Sequence, residues 1–100
     1  SYRAGEEEGY LITKPLKHAG SNLWLNFATS AVGSIKVEVQ DAEGNTITGF
    51  DAGSSSPRFG DSVTESVKWS SGETWEQLDG RTIRLKISLY DADLYSIQQR

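Results

Sequence analysis

One hundred residues carry ten Lys+Arg against fourteen Asp+Glu, a formal net charge of −4, and no cysteine. That length holds one small domain, and the acidic balance argues against nucleic acid and against a polybasic membrane patch, since both need clustered cations. Without cysteine there is no disulfide framework, no thiolate nucleophile and no zinc site of the Cys type. The apolar runs are far shorter than the roughly 20 residues a membrane helix requires. The opening residues 1–8 also lack the apolar centre of a signal peptide.

The side chains favour strands. Thr, Ile and Val together supply eighteen β-branched residues beside ten aromatics, a population that suits a pleated, half-buried surface and loses rotamer freedom in a helix.

Residues 1–8 are polar and aperiodic and read as a flexible lead-in or linker. The domain proper is expected over residues 9–98. A strand is expected over 9–14, stopped by Pro15. After the turn-like residues 18–22 a second strand places Leu23, Leu25 and Phe27 on one face and Trp24, Asn26 and Ala28 on the other. Residues 29–33 are small enough to be a hairpin connection. Ile35, Val37 and Val39 then alternate with Lys36, Glu38 and Gln40, the pattern of a strand with one wet face. The turn chemistry of 41–45 leads back into a short strand over 46–50.

Residues 51–60 form the longest irregular stretch, expected to be a functional loop or a crossover between sheets. A strand over 62–69 puts Val63, Glu65, Val67 and Trp69 on one side. Residues 74–78 fit a single helical turn before the turn dipeptide Asp79-Gly80. The longest strand, 81–90, points Ile83, Leu85, Ile87 and Leu89 one way. Asp91-Ala92-Asp93 reads as a turn into a last strand over 94–98. About seven strands at such spacing predict an all-β antiparallel sandwich, jelly-roll-like in outline.

Candidate chemistry is sparse. His18 is the single histidine and lies in a polar turn, where it reads as an exposed loop residue rather than a catalytic base. Glu6, Glu7 and Glu8 read as a solvated charge run. Asp91 and Asp93 flank one residue and are weak calcium candidates, with an ordinary turn the simpler reading. No glycine motif stands before a helix to bind phosphate, no cofactor is expected, and catalysis within these residues is not. Phe27 and Trp69 lie on core faces, whereas Trp24 and Trp75 do not. Those two are the candidates for an exposed platform that stacks on sugar rings, against the simpler reading that they cover an end of the domain or contact a neighbour.

The order of segments carries one further reading. Gly9-Tyr10-Leu11-Ile12-Thr13-Lys14-Pro15-Leu16 is followed by Leu23-Trp24-Leu25-Asn26-Phe27-Ala28-Thr29 and by residues 33–42. Gly60-Asp61-Ser62, Val67-Lys68-Trp69, residues 78–85 and Asp91-Ala92-Asp93-Leu94-Tyr95-Ser96-Ile97 complete the pattern. Together they resemble the C-terminal β-sandwich that follows five-bladed propeller glycosidases of the invertase/fructosidase type, glycoside hydrolase family 32 and related bacterial proteins. The resemblance spans nearly everything from Gly9 to Gln98. It implies a non-catalytic accessory module packed against a catalytic propeller of the same polypeptide, in a protein working outside the cytoplasm. It carries over no catalytic residue. The alternative is a carbohydrate-binding module that holds a polysaccharide through Trp24 and Trp75.

Overall fold

The computed structural model describes residues 2–4, 9–55, 63–78 and 80–100. These build a mostly antiparallel β-sheet of six strands: β1 (Tyr2–Ala4), β2 (Gly9–Ile12), β3 (Leu16–Lys17), β4 (Leu23–Asp41), β5 (Val63–Ser66) and β6 (Thr82–Gln99). A 3₁₀ turn at Trp75–Leu78 matches the helical turn expected there.

Two long strands organise everything else. β4 and β6 pair from Leu23↔Gln99 to Asp41↔Ile83. β1, β2 and β3 lie in succession along the far side of β6, like one interrupted edge strand, opposite residues 92–94, 86–89 and 82–83. Pro15 falls in the gap between β2 and β3, where a missing N–H removes nothing from the ladder. β5 covers the other side of β4 at Trp24–Phe27. Strand β1 lies inside the stretch expected to be a flexible lead-in. An edge strand can be held by backbone bonds alone, with no apolar period to announce it.

Both long strands were expected to be two strands each. The alternation on either side of 29–33 and of 91–93 is correct, but the small residues between do not reverse the chain. Thr29 pairs with Ala92 and Ser34 with Tyr90, so β4 carries extra residues opposite Asp91, a β-bulge. On β6 the buried residues Leu89 and Ala92 are three apart, an odd spacing that slips the period-2 pattern. Asp91 absorbs the slip with φ 44°, a left-handed conformation that Asp tolerates better than most residues. Gly33 fits because a Cβ there would stand 2.3 Å from the Asp91 carbonyl oxygen and 2.6 Å from that of Tyr90.

At about 3.3 Å per residue a straight nineteen-residue strand would run roughly 60 Å. The molecule extends only 35 × 24 × 23 Å, so β4 bends sharply, and β6 with it. The inward side chains stay on one side throughout: Leu23, Leu25, Phe27, Ile35, Val37 and Val39 from β4, with Ile83, Leu85, Ile87, Leu89, Ala92 and Leu94 from β6. Burial of side chains this size is the dominant favourable term, about 1.5–3 kcal/mol each.

The turn after β4 uses the expected chemistry. The Asp41 carboxylate accepts from the backbone N–H groups of Glu43 at 3.0 Å and Asn45 at 2.9 Å, and Gly44 takes φ 90°. The chain then returns with backbone bonds from Ile47 N to Val39 O and from Val39 N to Phe50 O, rather than as a full strand. The first part of the long loop also packs inward: Val37 N donates to the buried Ser55 hydroxyl, and Ser55 bridges Trp69. Residues 56–60 of that loop lie outside the described residues.

Candidate functional site

The end of the molecule near residues 18–22 and 67–76 gathers several buried aromatic rings beneath an open hollow. Trp69 follows β5 on the inward side and donates its indole N–H to Val37 O at 3.1 Å. Phe50 packs edge-on against it at 5.0 Å, and Trp75 lies nearly parallel to it at 6.4 Å. Trp75 enters from the 3₁₀ turn and donates its own N–H to Ala19 O at 3.0 Å.

This placement corrects two expectations. Trp75 is 2% exposed, not a platform. His18 is buried, not solvated in a loop, and packs on Trp75 at 4.7 Å between centroids. The sequence around each is polar because the contacts come from far along the chain: residues 18–19 close over residue 75. Phe27 and Trp69 are buried in the core, as their strand faces require.

A hollow of about 300 Å³ opens above this cluster, walled by Ser21, Asn22, Val67–Trp69 and residues 72–76. A second, of about 260 Å³, is lined by His18, Gly20, Ser21 and Glu76 and shares Ser21 and Glu76 with the first. Their polar groups are hydroxyls, an amide and charges of both signs at Lys68, Glu73 and Glu76. Such a rim suits a small polar molecule, but the indoles show it little ring surface.

Trp24 lies apart, on the outer face of the sheet, with its side chain partly buried. It pairs with Ser66 on one side and Gln98 on the other. A shallow groove of about 70 Å³ there is lined by Trp24, Leu25, Asn26, Thr64, Ser96, Gln98 and Arg100. The Arg100 guanidinium sits over the indole at 5.0 Å, and its Nε donates to the Gln98 amide oxygen at 2.9 Å. Arg100 was not foreseen as a neighbour of Trp24. Seventy-six residues separate them in the sequence, and only the β4–β6 register brings them together.

Asp91 and Asp93 flank the buried Ala92 on β6 beside the β4 bulge, in a strand and not in a turn that reverses the chain. Among the described residues no three His, Asp or Glu side chains gather closely enough to hold a metal ion. Residues 6–8 and Asp79 lie outside the described residues. Among the described residues no helix is long and apolar enough to cross a membrane.

Among the described residues the exposed large apolar side chains are Tyr10, Ile12, Val32 and Tyr95, and of these Tyr10 and Ile12 lie two apart on one strand. Their strand neighbours Gly9 and Leu11 face Leu89 and Ile87 of the core, so the two large side chains point outward together, 56% and 48% exposed. Compared with protein-family models, curated proteins and solved structures, the chain matches none of them.

Proposed function

We propose that this chain is a non-catalytic accessory β-sandwich module of a bacterial glycoside hydrolase, secreted or periplasmic, which packs against a catalytic β-propeller of the same polypeptide. The observation that carries this reading is the outward pair Tyr10 and Ile12. Large apolar side chains set side by side in water are what a docking interface covers. The sharp bend in β4 and β6 supports the sandwich, since a sheet bent back on itself can close a core between two layers. The order of segments from Gly9 to Gln98 supports the glycosidase connection.

The test compares the 100-residue chain with the longer polypeptide encoded around it. Scanning calorimetry should show this module melting at a higher temperature within the longer protein than alone. An identical transition in both, or an upstream segment without propeller-type repeats, would overturn the reading.

A second reading, carbohydrate binding, is favoured by the Trp24 groove. A ring edged by Asn26, Thr64, Ser96 and Gln98 offers the apolar face and hydrogen-bonding neighbours a pyranose needs. The guanidinium over the ring is a surface cation–π contact of about 0.5–1 kcal/mol, small enough for a sugar to displace. Titration with a polysaccharide panel should change tryptophan fluorescence in the native chain and not in Trp24→Ala. A flat response to every glycan would end this reading.

A further inference from the structure

The charge of this chain is unevenly placed. Along the Ser34–Asp41 half of the sheet, the residues alternating with the buried ones are Lys36 and Glu38 on β4 and Arg84 and Lys86 on β6. The exposed Lys14 follows β2 on the same flank, its neighbour Thr13 bonded to Leu85. Lys17, opposite Thr82, stands at the margin of the same face. Five cations thus share this face with one carboxylate, and Glu38 is already engaged by the Gln40 amide at 2.7 Å. Taking five from ten Lys+Arg and one from fourteen Asp+Glu leaves five cations against thirteen carboxylates in the rest of the sequence. Tyr10 and Ile12 lie within this basic field, and the Lys86 ammonium sits 4.6 Å above the Tyr10 ring.

We infer that this outer face is the docking surface of the module, and that the protein surface it meets is acidic around an apolar centre. The inference rests on the accessory-module reading and names the face and the chemistry of the partner. Tyr10 and Ile12 form the anchor, with Lys14, Lys36, Arg84 and Lys86 as the rim. An apolar centre ringed by charges of one sign is how interfaces combine affinity with register and exclude wrong partners. Ile12 decides between partner classes. A branched aliphatic chain has no ring to stack on a base and no group to hydrogen-bond a sugar, so apolar protein surface covers it better than nucleic acid or glycan does. The excess of negative charge elsewhere would turn an acidic partner away from the other faces.

Lysine labelling with an amine-reactive reagent, read by mass spectrometry, tests this in the native protein. In the 100-residue chain Lys14, Lys17, Lys36 and Lys86 should label along with the exposed Lys68. In the longer polypeptide Lys14, Lys36 and Lys86 should lose their labelling while Lys68 keeps it. Ile12→Glu or Tyr10→Glu in the longer polypeptide should restore it. If Lys68 is protected and those three are not, docking uses another face: the inference falls and the accessory reading stands. If no lysine changes and the module melts independently, both fall. Protection of the same three lysines by duplex DNA or phosphatidylserine vesicles, but not in the longer polypeptide, would overturn the inference in favour of a polyanion.

Discussion

Trp75 shows how much one side chain can hold. Its ring packs against His18 and Trp69, and its N–H ties residue 19 to the 3₁₀ turn. Trp75→Ala should cost about 3–5 kcal/mol in urea unfolding, as loss of a large buried aromatic does. Trp75→Phe keeps most of the packing and isolates the indole bond, about 1 kcal/mol. Two carboxylates contribute to the acid limb of stability. Hydrogen bonds from the backbone of Asn45 and Glu43 hold the Asp41 carboxyl below its ordinary range, and the Ser54 hydroxyl and backbone do the same for Asp51. A carboxyl whose pKa is lower when folded stabilises the fold above its unfolded value and stops doing so as pH falls through the folded value. Stability should therefore decline below about pH 4. Asp41→Asn should flatten that decline, measured as denaturation midpoints across pH 2 to 6. Asp41 was legible, because a local turn needs only local signals. Trp75 was not, because Ala19, which accepts its N–H, lies 56 residues away in the sequence.

At the scale of elements, the alternation identified the inward residues of β4 from Leu23 to Phe27 and Ile35 to Val39 and of β6 from Ile83 to Leu89, since period-2 burial is a property of a few neighbouring residues. Ala92 and Leu94, beyond the slip in period, were missed. Continuity was harder to read. Small residues and the Asp-Ala-Asp triplet are turn signals, and the structure uses the same conformational freedom to bulge and bend the strands without reversing them. The distinction lies in what stands opposite. Gly33 has backbone carbonyls where a side chain would go, and nothing near it in the sequence reveals them. Gly33→Ala should lower stability by about 1–3 kcal/mol, the range for forcing atoms into filled space. Asp91→Gly should be tolerated, whereas Asp91→Val should cost about 1–2 kcal/mol because a β-branched residue resists positive φ. Thermal melts of the two Asp91 variants side by side separate backbone conformation from loss of the carboxylate.

For the molecule as a whole, the pairing of β1–β3 with β6 joins the two ends of the chain. Residues 2–17 find their partners among residues 82–94, so the loop closed by each contact is most of the domain. Such topology folds slowly for its size. Refolding followed by tryptophan fluorescence should fall in the millisecond-to-second range expected of all-β domains. The Trp24 groove and the basic face belong to this scale too. Each is assembled across strands, which is why composition suggested a uniformly acidic protein while one side of it is positive.

The same joining of ends has a mechanical consequence. Tyr2 stands opposite Leu94, and β1 and the last residues of β6 leave the sheet at the same end. Tension applied between the first and last residues therefore does not shear the ladder, which would load its bonds all together. It peels β1 away from β6 one pair at a time, so little force is needed to begin. A module built this way gives way early to a pull between its ends.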